Sequence, residues 1–140
     1  MRLYTSIAKK IIPKKRLLII DSEWNMLKLL YAVLSNNYDL TVKNSSIEAM
    51  QWLENGNKPA LIITEYKLPY IDGASLVKQL KHSGIHNNTP IIMLSDVHDL
   101  EKKIHSFPFN NGAIISKPFN PSQLISKIKS LLNEYNSASA

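Results

Sequence analysis

The stretch from Leu61 to Gly73 restricts what this chain can fold into more than any other part of the sequence. Residues 61–64 form a largely apolar run of strand length that ends at Glu65, and Pro69 and Asp72-Gly73 supply turn residues soon afterwards. Such runs, bounded by turn residues, are typical of buried parallel strands. In an open α/β sheet the functional crevice lies beyond the carboxyl ends of the strands, so Glu65 is predicted to border it.

Four further segments have the composition of strands, and the segments between them have the apolar spacing of helices. Strands that are separated by helices pair in parallel through right-handed crossovers. The predicted fold therefore belongs to the α/β class. It is a doubly wound α/β/α sandwich of three layers. Its five strands are predicted at 17–20, 38–42, 61–64, 90–94 and 113–116, and its five helices at 24–34, 46 to about 55, 73 to about 84, 97–107 and 121–132.

The positive charge of the chain is concentrated near its start. The 140 residues include 17 Lys and Arg and 11 Asp and Glu, a formal net charge of +6. Residues 1–16 hold six of the basic residues and no acidic residue, so the rest of the chain is neutral. We predict a basic N-terminal extension at 1–15, one domain at 16–134 and a disordered tail at 135–140.

The basic extension places Leu3, Ile7 and Ile11 at roughly helical spacing before Pro13, which ends any helix there. We interpret it as a frayed or partly docked terminal extension. Contact with nucleic acid, a membrane surface or an acidic partner through basic residues 1–16 is the less favoured alternative.

Other features narrow the class of protein. The chain has no cysteine, which excludes disulfides and thiolate metal sites. No apolar stretch approaches the roughly 20 residues that span a bilayer, and the N-terminus lacks the apolar core of a signal peptide, so we expect a soluble, cytoplasmic protein. His82 and His86 are four residues apart at a predicted helix end, but without acidic or thiol partners they make a weak candidate for zinc.

Side chains of complementary chemistry follow four of the five predicted strands. Asp21 follows the first strand, Glu65 the third, Ser95 the fourth and Lys117 the fifth. Because the carboxyl ends of parallel strands meet at one edge of a sheet, we expect these side chains to converge. Carboxylates, a hydroxyl and an ammonium together suit the binding of a phosphoryl group and a divalent cation.

This pattern resembles the receiver domain of two-component response regulators over residues 16–134. The matching motifs are Ile-Ile-Asp21, Leu-Pro69-x-x-Asp72-Gly73, Ile-Met-Leu-Ser95 and Ser-Lys117-Pro118-Phe. The resemblance implies the flavodoxin-like fold of the chemotaxis regulator, with strand order 2-1-3-4-5 and a cis peptide before Pro118. It also implies a role in two-component or phosphorelay signal transduction, with Ser95 and Lys117 in the phosphoryl pocket.

The chain departs from the family at the phosphoryl acceptor. There the family has an Asp, which also holds magnesium together with two acids of the first turn and a backbone carbonyl, whereas this chain has Glu65. The extra methylene displaces the carboxylate by more than about an ångström, and attack geometry tolerates little displacement. Ser22 replaces the second acid and Lys67 stands at the carbonyl-donating position, so Asp21 and Glu65 are expected to bind magnesium weakly or not at all. No other cofactor is expected.

Two further departures concern signalling. Asp96 follows Ser95 where most family members have a small residue, and it is expected to hinder a phosphodonor. Ile114, three residues before Lys117, replaces the aromatic residue that usually rotates inward on activation. Ser95 and Ile114 are thus the switch positions, and Ile114 cannot act as the usual aromatic switch.

These features predict an atypical, single-domain pseudo-receiver that is not an enzyme and acts through phosphorylation-independent protein–protein interaction. Glu65 is expected to reach Lys117 and Ser95 and so to imitate the phosphorylated state, with one negative charge in place of nearly two. By family resemblance, the partner is a sensor kinase or downstream effector that binds the face formed by the fourth helix, fifth strand and fifth helix. No small-molecule substrate is expected.

Two alternatives stay open. The chain could be a phosphorylatable single-domain regulator or phosphorelay intermediate that uses an unconventional site. It could also be a phosphatase similar to the haloacid dehalogenases, which use an acid after the first strand, a Ser or Thr and a Lys. That family requires Asp-x-Asp, however, where this chain has Asp21-Ser22-Glu23.

Overall fold

Five parallel strands form one sheet in the order β2-β1-β3-β4-β5. The computed structural model describes residues 13–96 and 111–134. The predicted α/β sandwich and its strand order are therefore confirmed. The strands are β1 (Arg16–Ile20), β2 (Asp39–Lys43), β3 (Leu61–Glu65), β4 (Ile91–Ser95) and β5 (Gly112–Ser116).

Helices cover both faces of this sheet. Those within the described ranges are α1 (Trp24–Leu34), α2 (Ser46–Glu54), α3 (Gly73–Lys81) and α4 (Pro121–Leu131). Helix α4 corresponds to the predicted fifth helix, because the helix predicted at 97–107 lies outside the described residues. Residues 1–12 of the predicted extension and the tail predicted at 135–140 also lie outside them. Across 13–96 and 111–134, every helix is too short or too polar to span a membrane.

Local side-chain hydrogen bonds begin three of the four helices. Ser45 Oγ accepts from the N–H of Glu48, Asp72 Oδ1 from that of Ser75 and Asn120 Oδ1 from that of Ser122. Each such cap satisfies a backbone donor that the helix leaves unpaired and typically stabilises a protein by about 1 kcal/mol.

The boundaries of the described elements lie within one residue of the prediction, except at the end of α3. Helix α3 ends at Lys81 rather than near Gly84, since the Ser83 hydroxyl accepts hydrogen bonds from the N–H groups of Ile85 and His86 and holds the chain in turns. Strand β2 begins at Asp39, while Tyr38 is buried and donates its hydroxyl to Glu134.

The hydrophobic core forms two layers, one on each face of the sheet. One layer joins the sheet to α1 and α4, and the other joins it to α2 and α3. Leu17 and Ile19 of β1 belong to the first layer, whereas Leu18 and Ile20 belong to the second. The central strands are buried on both faces, which explains their continuous apolar sequences.

Candidate functional site

Strand register brings the four predicted site residues to one edge of the sheet. Glu65 ends β3 opposite Leu94, and Ser95 ends β4 opposite Ser116, the residue before Lys117. Asp21 follows Ile20, the residue of β1 that pairs with Thr64. The site is thus built from the carboxyl ends of four strands, and the N–H of Lys117 donates to Ser95 O at 2.8 Å.

An ion pair joins the Lys117 ammonium to Glu65 Oε2 inside this crevice. Glu65 is 7% exposed and Asp21 is 1% exposed, so water barely reaches either carboxylate. Asp21 Oδ2 lies 4.0 Å from Lys117 Nζ. A single ammonium therefore serves two buried carboxylates, which leaves the cluster with one negative charge when both acids are ionised.

The two oxygens of the Asp21 carboxylate have different surroundings. Oδ1 accepts a 2.8 Å hydrogen bond from the N–H of Glu23, which fixes the first turn after β1. Oδ2 is buried and has no hydrogen-bond partner in the described parts of the chain. Ser22, the residue in the second acidic position, is exposed to solvent.

Burial raises the pKa of both carboxyl groups. For Asp21, the hydrogen bond from Glu23 and the charge of Lys117 oppose the rise in pKa without cancelling it. For Glu65, burial and the charge of Asp21 raise the pKa, while Lys117 and the backbone N–H of Lys67 lower it. The net direction is upward, because two acids share one cation where the ionised forms are poorly solvated.

The hydroxyl of Ser95 does not bind Glu65. It is buried, and its Oγ donates to Asp96 O at 3.2 Å. Glu65 was expected to contact both Lys117 and Ser95. The structure contains the contact with Lys117. It describes Ser95 as well, and no hydrogen bond joins Glu65 to it.

Lys67 and Asp96 meet at the mouth of the crevice. Lys67 Nζ lies 3.8 Å from Asp96 Oδ2, and their side chains are 67% and 57% exposed. The Lys67 ammonium therefore lies at the rim beside Asp96. The pair connects the loop after β3 to the end of β4, next to the strand that carries Glu65.

The loop between β3 and α3 is held tightly against the site. A Cβ atom on Gly73 would lie 2.5 Å from Glu65 O, so only glycine permits this approach. Tyr70 has a φ of 69°, and the N–H of Ile71 donates to Pro69 O at 2.8 Å, which forms a γ-turn.

Two buried hydroxyls near the site were not singled out from the sequence. Ser46 is fully buried and donates to Ile71 O at 2.7 Å. Thr64 is also fully buried, and its Oγ1 donates to Glu65 O. The only sequence signal for Thr64 was a polar residue inside an apolar strand.

Ile114, the predicted switch position, lies in β5, and the cis peptide follows that strand directly. Ile114 is half-buried, pairs with Met93 in the sheet and packs against the core layer of α2 and α3. The peptide bond between Lys117 and Pro118 is cis, as the resemblance implied.

The two histidines considered for zinc have different surroundings. His82 is exposed and its Nδ1 lies 2.7 Å from Lys78 O, whereas His86 is buried. Within the described residues, no group of three or more His, Asp or Glu side chains could hold a metal ion.

The residues of the crevice do not fit a magnesium site. Magnesium requires near-octahedral oxygen coordination, and at least one or two carboxylates usually face it directly. In this crevice Glu65 is engaged by Lys117, and Ser22 lacks a carboxylate. Asp21 Oδ2 is the acidic oxygen that remains, and an ammonium lies 4.0 Å from it.

A comparison with family models identifies the class of domain. The model of the response regulator receiver domain matches residues 17–129. The chain belongs to this receiver family. The receiver domain is the module of response regulators in two-component signalling, and this chain contains one such domain.

Several known proteins are similar to this receiver. The alkaline phosphatase synthesis transcriptional regulatory protein PhoP of Bacillus subtilis (strain 168) is 29% identical over 119 residues, which cover 84% of this chain and 48% of PhoP. The chain spans about half the length of the curated relatives it matches.

Solved structures show the same fold. A response regulator from Chloroflexus aurantiacus J-10-fl is 31% identical, with a TM-score of 0.78 and coverage of 86% of this chain and 98% of that one. A response regulator receiver protein from Sinorhizobium medicae WSM419 is 25% identical, with a TM-score of 0.76 and coverage of 86% and 95%.

Proposed function

We propose that this receiver is an atypical pseudo-receiver that signals by binding a protein partner without being phosphorylated, and that it has no catalytic activity of its own. The observation that carries the proposal is the ion pair between Glu65 and Lys117. In this arrangement the carboxylate of Glu65, at the acceptor position, already pairs with the Lys117 ammonium that a phosphoryl group would otherwise need.

The geometry of Glu65 supports this proposal. A nucleophile must approach its target in a narrow range of distances and angles, and a displacement of about 1 Å can cost about a hundredfold in rate. Glu65 is 7% exposed and its Oε2 contacts Lys117, so attack on a phosphodonor would first require this ion pair to break.

The surroundings of the site support the same conclusion. Magnesium normally offsets negative charge during phosphoryl transfer. In this crevice Ser22 stands at the position of the second acid and provides no carboxylate ligand for the metal. At the mouth, the pair of Lys67 and Asp96 places a carboxylate where an anionic phosphodonor would enter. Crowding of the entrance by the Asp96 side chain and poor metal binding would both slow the reaction.

The proposed partner is a protein of the same signalling system, either a sensor kinase or a downstream effector. One solved relative is itself the signal receiver domain of a signal transduction histidine kinase from Syntrophus aciditrophicus, at 25% identity and a TM-score of 0.74. We propose that the partner binds a face that includes β5 and α4, together with the helix predicted at 97–107. The choice of this face rests on the family resemblance.

Incubation with acetyl phosphate and magnesium, followed by intact mass measurement, tests the proposal. The wild type should gain no phosphoryl group. The matched variant combines Glu65→Asp, Ser22→Asp and Asp96→Ala, which restores the acceptor and the second acid and opens the entrance; it should be labelled.

Each outcome of this experiment has a definite meaning. A labelled wild type would favour the alternative of a phosphorylatable regulator, and peptide mass spectrometry would locate the unconventional site. A triple variant that stays folded, binds magnesium and remains unlabelled would show that these three positions do not explain why the site is silent. Turnover of a generic phosphoester by the wild type would favour the phosphatase alternative.

A further inference from the structure

An apolar groove lies on the outer surface between α1 and edge strand β2. Its volume is about 320 Å³, and Trp24, Leu27, Tyr31, Ala32 and Val42 line it together with Lys28. Trp24 is 69% exposed and Tyr31 is 57% exposed. Two large aromatic side chains that face solvent two helical turns apart are a sign of a binding surface. The groove is separate from the crevice of Glu65.

The described chain starts at one end of this groove. Lys14 Nζ donates to the carbonyl oxygen of Ser35, the residue after α1, at 3.3 Å. The N–H of Asp39, the first residue of β2, donates to Lys15 O at 3.0 Å. Because the N–H of Ser35 also bonds Tyr31 O, the chain leaves the domain within about one helical turn of Tyr31.

Residues 1–12 precede this point and have the composition that an apolar groove would bind. Residues 2–12 contain no acidic residue. Their five large apolar residues are Leu3, Tyr4, Ile7, Ile11 and Ile12, and their three basic residues are Arg2, Lys9 and Lys10. Twelve residues span about 18 Å even in a helical conformation, and the 11 residues of α1 span about 16 Å. The segment is therefore long enough to follow α1 from Tyr31 to Trp24.

We propose that residues 1–12 bind in this groove and cover Trp24 and Tyr31. The chain direction places Ile11 near Tyr31, Ile7 near the middle of the groove, and Leu3 with Tyr4 near Trp24. Arg2 then comes close to Glu23, the exposed residue that precedes α1. The basic side chains stay in solvent while the apolar ones are removed from water, which is the driving force.

The covalent connection makes this binding effective even if the contact is weak. A segment tethered by a short linker has an effective concentration in the millimolar range at a nearby site. Any protein partner that uses this face of α1 would then have to displace the segment. This binding does not depend on whether Glu65 is phosphorylated.

Engineered cysteines can test the contact in the full chain, because the sequence has no native cysteine. The test pair is Ile7→Cys with Lys28→Cys, and the control pair is Ile7→Cys with Ile47→Cys. Ile47 is 44% exposed on α2, which packs on the opposite face of the sheet. A disulfide needs Cα atoms less than about 7 Å apart, so the test pair should form an intramolecular disulfide about tenfold faster than the control pair.

Trp24 fluorescence provides an independent reading in a Trp52→Phe background. The double variant Ile7→Asp with Ile11→Asp should make Trp24 more accessible to acrylamide and shift its emission to longer wavelength. The matched control, Thr5→Asp with Ser6→Asp, adds the same charge without removing apolar contacts and should change neither.

Three results would overturn the proposal. Equal rates of disulfide formation in the two pairs would mean that the segment does not favour the groove. Disulfides that link two molecules would mean that a second copy occupies it. Trp24 quenching that is unchanged by the Ile7 and Ile11 substitutions would mean that the groove stays open.

Discussion

Lys117 lies between two buried carboxylates: its ammonium contacts Glu65 Oε2 and is 4.0 Å from Asp21 Oδ2. One cation thus compensates two acids in a crevice that water barely reaches. The arrangement explains why both acids have raised pKa values, and it makes Lys117 the residue on which the site's electrostatics depend.

Replacing Lys117 with Met should destabilise the protein strongly. Removing one partner of a buried ion pair leaves uncompensated charge and typically costs about 3–5 kcal/mol, and because Lys117 is partly exposed we expect a loss of about 3 kcal/mol. Urea unfolding at pH 7 measures it. The double variant Lys117→Met with Glu65→Gln should recover part of the loss, and a single variant that loses less than about 1 kcal/mol would contradict this role.

The free energy of unfolding should fall as the pH rises above the ordinary pKa of a carboxyl group. The ordinary pKa values are 4.5 for Glu65 and 3.8 for Asp21, and both are raised on folding. The folded state therefore holds protons more tightly than the unfolded state, and the stabilisation present at low pH is lost as the pH rises through the folded pKa values.

Glu65→Gln provides the control for this pH dependence. It removes one acid and leaves Asp21 with Lys117, so its unfolding free energy should depend less on pH from about 4.5 upward than that of the wild type. Urea titrations of both proteins across this range supply the comparison, and parallel curves would show that the acids do not share the ammonium.

His86 should produce a pH dependence of opposite sign near neutrality. Burial, with help from the charge of Lys58, lowers its pKa below the ordinary value of 6.5. His86 is therefore harder to protonate in the folded state than in the unfolded state. Its contribution to the free energy of unfolding is fully present above pH 6.5 and is lost as the pH drops through the folded pKa. His86→Gln should flatten the thermal stability profile below about pH 6.5. A His86→Gln profile that matches that of the wild type would refute the assignment.

Gly73→Ala should destabilise the protein and disturb the site. The added Cβ would lie 2.5 Å from Glu65 O, which is backbone and cannot move aside without shifting β3. Overpacking of this kind typically costs about 1–3 kcal/mol. The control is Gly84→Ala, where a Cβ meets no atom within 4 Å and stability should be unchanged or slightly raised. Chemical denaturation measures the free energy of unfolding of both variants, and equal values would contradict the predicted clash at Gly73.

The strands and their convergence followed from the sequence alone. Buried parallel strands such as β1 and β3 require continuous apolar runs, and these runs locate the strand ends to within a residue. Once the strands were placed, Asp21, Glu65, Ser95 and Lys117 had to lie at one edge. The capping residues Asp72 and Asn120 were also predictable, because a cap depends on neighbours two or three positions away.

The pairing of the side chains was decided only by the tertiary structure. Lys117 could have bonded several oxygens; in the structure it contacts Glu65 and lies near Asp21. The Ser95 hydroxyl donates to Asp96 O, and the Lys67 ammonium pairs with the Asp96 carboxylate. The buried hydroxyl of Ser46 meets the loop at Ile71, 25 positions away. The contacts of Lys117, Lys67 and Ser46 depend on strand register, side-chain rotamers and shared burial, which no local pattern contains, because they join residues that are distant in the chain and at most 4.0 Å apart in space.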